Sequence, residues 1–128
     1  MTTKVNHILT DKATAPGGHY SQATVANGTV YVSGQLGFRP GSKEPVLCSI
    51  EEQTLNCLNS MLAIVEAAGS SKDRIVKTTV YVSDGNHWPI VNKVYADFFG
   101  DTKPARAVVP VKDLHYGFGV EIDAIAVI

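Results

Sequence analysis

Apolar residues along this chain change their period several times, and each change marks an element. The densest block is the last. In Pro104–Ile128, Ala107, Val109 and Val111 alternate with Val108, Pro110 and Lys112, and Val120 to Ile128 is rich in β-branched residues. This spacing predicts two strands joined into an apolar hairpin by the turn formers of Asp113–Gly117. Upstream, Val5 to Leu9 predicts a short first strand, and Thr14-Ala-Pro-Gly-Gly18 a loop. Tyr20 to Ala26 and Thr29 to Ser33 flank Asn27-Gly28, the pair favoured by a type I′ turn because both central residues need positive φ. Gly34 and Gly37 end the second of these strands and allow a sharp bend or a close approach of the backbone to another group. Phe38 to Pro45 reads as loop.

The period then becomes helical. Ser49-Ile-Glu-Glu52 has the form of a capping box, Leu55, Leu58, Leu62 and Val65 form one apolar stripe, and Gly69 supplies the left-handed residue beyond it. Arg74 to Val82, charged after its first residue only at Lys77, predicts a central strand. Ser83-Asp-Gly-Asn86 caps a second helix, with Pro89 confined to its first turn, Val91, Val94, Tyr95 and Phe98 as its buried stripe, and Gly100 closing it. The order β, β-hairpin, α, β, α, β-hairpin is an α+β pattern, with two helices and about six strands in a single domain over residues 1–128. Two helices cover only one face of such a sheet. The terminal strand is apolar on both sides, with Ile122, Ala124, Ala126 and Ile128 on one and Ile125 and Val127 on the other. The uncovered face therefore predicts association into a closed oligomer.

Composition narrows the partners. The 11 basic and 12 acidic residues give a net charge of −1 without charge runs, which argues against nucleic acid or a membrane surface as the main partner. No basic groove with interleaved aromatics supports nuclease or translation-inhibiting activity. The N-terminus, MTTKVNHILT, has no apolar core of signal-peptide length, and no run approaches the roughly 20 apolar residues that span a bilayer. The chain reads as soluble and cytoplasmic, with an organelle such as the mitochondrion left open for a eukaryotic source. The sequon Asn27-Gly28-Thr29 has no secretory route to be used. Cys48 and Cys57 belong to no CxxC or Cys/His pair and read as reduced, at least partly buried thiols. His7, His19, His87 and His115 show no metal spacing, so neither a metal nor another cofactor is called for.

Two residues look out of place in the terminal strands, Arg106 and Glu121. Ions are rarely set into half-buried strands unless they pair with each other or with a ligand, and both readings stand on the sequence alone. A guanidinium fork binds a carboxylate bidentately at any relevant pH, and a carboxylate can hold a water and move a proton. Ser33 has no adjacent His or Asp in a nucleophile motif, so a hydrolase triad is unsupported.

Seven separated stretches, in order, resemble the RidA/YjgF/UK114 family of reactive intermediate deaminases. They are Gly18-His-Tyr-Ser-Gln-Ala23, Ser33-Gly-Gln35, Glu66-Ala-Ala-Gly69, Val76-Lys-Thr-Thr-Val-Tyr-Val82, Val91-Asn92 with Tyr95 and Phe98-Phe99, Pro104-Ala-Arg106, and Val120-Glu-Ile122. The resemblance covers nearly the whole chain. It implies a chorismate-mutase-like α+β fold, with a mixed sheet and two helices on one face, and a homotrimer with clefts between subunits. It also implies hydrolysis of 2-imino and 2-enamino acids to 2-keto acids and ammonia. The family's carboxylate-binding arginine maps onto Arg106 and its water-positioning glutamate onto Glu121. Tyr20, Ser33 and Asn92 match positions that line or support the cleft. Many members carry a cysteine two residues after the arginine. Here that position is Val108, which leaves only its main-chain amide and carbonyl to contact an imine or a water. Gly-His-Tyr replaces the more frequent Gly-Pro-Tyr before Tyr20. The alternative to an enzyme is a non-catalytic binder of small carboxylates or partner proteins, and Glu121 weighs against it, since a second negative charge does not help a carboxylate binder.

Overall fold

The computed structural model describes residues 3–128, so Met1 and Thr2 of the N-terminal reading lie outside it. Six strands form one sheet in the order β1-β2-β3-β6-β4-β5: β1 Asn6–Ile8, β2 Ala23–Ala26, β3 Thr29–Leu36, β4 Ile75–Val82, β5 Ala105–Pro110 and β6 Val120–Val127. Helices α1, Ile50–Ala67, and α2, Trp88–Phe99, pack together on one face. The architecture is the α+β arrangement expected from the element order.

Local chemistry explains most boundaries. Asn27 and Gly28 take φ of 50° and 72°, so the β2–β3 turn is the type the dipeptide favours. Ser49 Oγ accepts the amide of Glu52 at 3.1 Å, and Gly69 takes φ of 92° where α1 ends. Pro89 sits in the first turn of α2. The buried face of α1 differs from its leucine stripe. Leu55 is 44% exposed, while Thr54, Cys57, Met61 and Ile64 face the core beside Leu58 and Val65. In α2, Phe99 is buried together with Val91 and Tyr95, and Val94 and Phe98 pack at its margin.

Two strand expectations are corrected. β3 runs on through Gly34 to Leu36, with a register irregularity against β6 between Val32 and Gln35. More consequentially, β5 and β6 are not a hairpin. β4 lies between them, pairing parallel with β5 and antiparallel with β6. A parallel partner requires a crossover, and α2 provides it as a β4–α2–β5 unit.

Burial along β6 alternates strictly, with Val120, Ile122, Ala124 and Ala126 in the core and Glu121, Asp123, Ile125 and Val127 on the face without helices. That face is more polar than the terminal strand alone implies. Asp123 accepts from the Thr79 amide and the Tyr81 hydroxyl, both at 3.2 Å, and exposed Tyr31 lies in register with Ile125.

The breaker-rich segment before β2 is fixed by one side chain. Gln22 is fully buried; its Oε1 accepts the Thr10 amide at 2.7 Å, and its Nε2 donates to the carbonyls of Thr10 and Thr14, each at 3.0 Å. Replacing it by Leu strands these backbone groups, at about 1–3 kcal/mol for each one left unpaired. Gln22→Leu is therefore expected to lower the urea midpoint by the equivalent of at least ~2 kcal/mol at fixed protein concentration. A change near zero would mean that the loop holds its own shape.

Candidate active site

The parallel pairing of β5 decides where the out-of-place charges go. Arg106 stands opposite Thr78, whose hydroxyl lies 2.7 Å from that of Tyr95 on α2, so Arg106 projects to the helix-covered face. Its guanidinium donates to Asn92 Oδ1 at 3.1 Å and lies over Trp88 and Tyr95, at 4.9 and 4.7 Å from the ring centroids. Aromatic faces steady a guanidinium without consuming its donors. One bond to Asn92 leaves most of its five N–H groups free for a carboxylate. Burial raises the Tyr95 phenol above its ordinary range, against the smaller opposing effects of its Thr78 bond and the Arg106 charge. A hollow of ≈ 330 Å³ opens beside this group, lined in part by Asn92, Lys103 and Arg106.

Glu121 goes to the opposite face, in register with Leu36 of β3 and Tyr81 of β4. A cleft of ≈ 590 Å³ opens there and gathers Glu121, Ser33, Gly34 and Tyr20 with His115 and Tyr116. Ser33 Oγ donates to the Ser21 carbonyl at 2.7 Å, and the Tyr20 hydroxyl accepts the Gly17 amide at 3.1 Å. A Cβ at Gly34 would lie 2.7 Å from Glu121 Oε2, so the carboxylate keeps its place only because residue 34 has no side chain.

The structure thus separates the predicted residues into two groups. Tyr20, Ser33 and Glu121 share one cleft, whereas Arg106 and Asn92 meet across the sheet from it. An intrachain Arg106–Glu121 salt bridge is not formed; among the described residues the one ion pair is Lys93–Asp97 on the surface, at 2.9 Å. Val108 follows Arg106 on the same side and is half-buried against the core. The Val111 amide donates to the Val82 carbonyl, so the period-2 alternation turns the amides and carbonyls of Arg106 and Val108 to the open edge of β5. Both remain available to a ligand.

Burial raises the Glu121 carboxyl above the ordinary carboxylate range, with the His115 charge pulling it down less and Asp123 adding to the rise. A folded-state pKa above the unfolded value means that the folded chain holds this proton more tightly. Its contribution is therefore present at acid pH and lost as pH rises through the raised value. Glu121→Gln is expected to gain melting temperature relative to the parent between about pH 4 and pH 7. A constant difference over that window would remove the burial penalty.

Sequence reasoning missed Trp88 and the positioning part of Tyr95, which read as a core residue. It also set His115 and Tyr116 aside, the first for want of metal spacing and the second as part of a turn. Only the topology reveals that the connection before β6 folds over the Glu121 cleft. Among the described residues no group of three or more His, Cys, Asp or Glu side chains is placed to hold a metal ion. No helix among them is long and apolar enough to cross a membrane.

Fold and geometry define a class: an α+β chain with one uncovered sheet face, whose candidate site residues are divided between the two faces. Residues 10–128 match the family described as Endoribonuclease L-PSP. The chain is 42% identical over 120 residues to a 2-iminobutanoate/2-iminopropanoate deaminase of Rattus norvegicus, covering 94% of this chain and 88% of that one. Among solved structures, a Rid-family protein, YyfA of Yersinia pestis, superposes with a TM-score of 0.93 at 40% identity, over 98% of this chain and 100% of its own. E. coli TdcF with bound serine gives 0.90 at 32% identity, over 96% and 98%. The chain belongs to this family, also called YjgF/RidA.

Proposed function

We propose that the protein hydrolyses reactive 2-imino and 2-enamino acids to 2-keto acids and ammonia, in clefts that form between subunits of a homotrimer. The observation that carries this reading is the division of the site: a braced arginine with free donors on one face, and a half-buried carboxylate in an open cleft on the other. One small substrate cannot meet both within a single chain. Association through the uncovered face, which carries Glu121 and reaches the open edge of β5, brings Arg106 and Val108 of one subunit to the Glu121 cleft of the next.

In this reading Arg106 binds the substrate carboxylate bidentately, and Asn92, Trp88 and Tyr95 hold its plane. Glu121 orients a water against the imine carbon. The water oxygen bonds to that carbon as one water proton passes by way of Glu121 to the nitrogen; the hydroxyl proton of the resulting carbinolamine then follows by the same route, the C–N bond breaks, and ammonia leaves with the keto group behind. A carboxyl raised toward neutrality by burial suits a group that must both take and give a proton. The deaminase name of the rat relative supports the same chemistry, whereas the family description as an endoribonuclease finds no basic groove in a chain of net charge −1.

The test is a coupled assay in which a serine or threonine dehydratase releases the imine and keto-acid formation is followed with and without the protein. Acceleration beyond the spontaneous rate is expected. Keto-acid binding without acceleration would make the protein a binder instead.

A further inference from the structure

The Glu121 cleft is walled at one end by two tyrosines that the chemistry above does not use. Tyr20 is 51% exposed and anchored through its hydroxyl to the Gly17 amide, and the Tyr116 hydroxyl lies 4.0 Å from where a Cβ on Gly17 would be. The two tyrosines therefore meet at the same loop residue, Gly17, and both line the cleft. Phe38 stands edge-on to Tyr116, with centroids 5.4 Å apart. Leu36, in register with Glu121, and Phe38 add apolar surface to the cleft lining.

Tyr116 is costly for the fold. Its φ and ψ of 61° and 15° are left-handed, a conformation that glycine adopts freely and that a bulky side chain takes at about 1–2 kcal/mol. In return Tyr116 remains 60% exposed in the single chain, while Phe38 is already packed on buried Phe118 at 4.8 Å. An exposed aromatic kept in a strained backbone at a cleft is explained by a ligand better than by packing. The cleft is also large. In the single chain it measures ≈ 590 Å³, room for a substrate side chain beyond the Arg106 and Val108 that the neighbouring subunit brings to it.

Building on the deaminase reading, we propose that Tyr116 and Tyr20 form an aromatic slot for the substrate side chain, and that the preferred substrates are 2-imino acids with aromatic or long apolar side chains. The small dehydratase-derived imines fill only the polar end, between Arg106 and Glu121. A flat ring between two tyrosines gains offset or edge-to-face contacts as well as burial, which amounts to about tenfold in discrimination.

The experiment compares imines generated in place by an amino-acid oxidase from phenylalanine and from alanine, scored as the ratio of kcat/KM values. Phenylpyruvate and pyruvate binding by calorimetry provides a readout independent of turnover. The parent protein is expected to favour the phenylalanine imine, and phenylpyruvate, by about tenfold or more. In Tyr116→Gly, where the backbone relaxes, both ratios are expected to fall about tenfold, and Tyr116→Phe, which keeps the ring, restores them. Ratios near one in the parent, or unchanged in Tyr116→Gly, would overturn the slot. If neither imine is hydrolysed the deaminase reading fails, and the two keto-acid affinities still decide whether the slot exists.

Discussion

Mixing two dead variants is expected to revive activity. Arg106→Ala and Glu121→Gln should each lose at least ~10²-fold in imine hydrolysis, the scale for removing a substrate anchor or a positioned acid–base group. If each cleft takes Arg106 from one subunit and Glu121 from its neighbour, co-refolding equal amounts gives some clefts with both residues intact. Random assembly in a ring places an intact Arg106 against an intact Glu121 in about one quarter of clefts. The mixture should therefore regain about a quarter of parental activity, well above either variant alone. The motive is geometric: Arg106 shares the helix side with Thr78 and Tyr95, and Glu121 the opposite side with Tyr81. A mixture no more active than its components would place the site within single chains. A monomer of about 14 kDa in sedimentation would end the shared-cleft reading altogether.

The second large effect concerns what Arg106 does for the fold. Had it neutralised Glu121, Arg106→Ala would strand a half-buried carboxylate, at up to about 3–5 kcal/mol. Its real neighbours are Asn92, Trp88 and Tyr95, so the loss is that of one hydrogen bond and a stacked cation, about 1–2 kcal/mol. Arg106→Ala is expected to abolish keto-acid binding in calorimetry while lowering the melting temperature by only a few degrees. Arg106→Lys keeps the charge and loses the planar fork, so it should recover most of that stability and little of the binding. A large collapse of stability in Arg106→Ala with binding intact in Arg106→Lys would return the residue to a structural role.

Much of this arrangement was legible in the sequence where the signal is local. Asn27-Gly28 needs two positive φ values and has them; Ser49 caps α1 and Gly69 ends it. The leucines of α1 misled because the core side is built one position earlier, around Thr54, Cys57 and Met61, leaving Leu55 toward solvent. The terminal strands misled for a different reason. Two β-branched runs with a turn between them look alike whether they pair with each other or with a third strand. What decides is the length of the segment from Val111 to Gly119, which exceeds that of a tight hairpin, and the helix between β4 and β5. The site followed the topology. Arg106 and Glu121 were singled out as residues, but their separation could not be read until β4 was inserted between them. Tyr116 gave no sequence signal, because nothing in the pattern distinguishes a strained left-handed tyrosine from an ordinary turn residue.

The two ends of the sheet bear on how the protein behaves when it is abundant. β1, at one edge, has only three residues, and β5, at the other, closes with Pro110, whose missing amide falls on the side turned away from β4. Short edge strands and a proline on the open side are poor templates for strand addition. Chains that meet edge to edge cannot readily extend one another's sheets into a fibre. Such a chain should stay free of cross-β material in concentrated solution, and substituting Pro110 with a β-branched residue is the change that would most readily invite filaments.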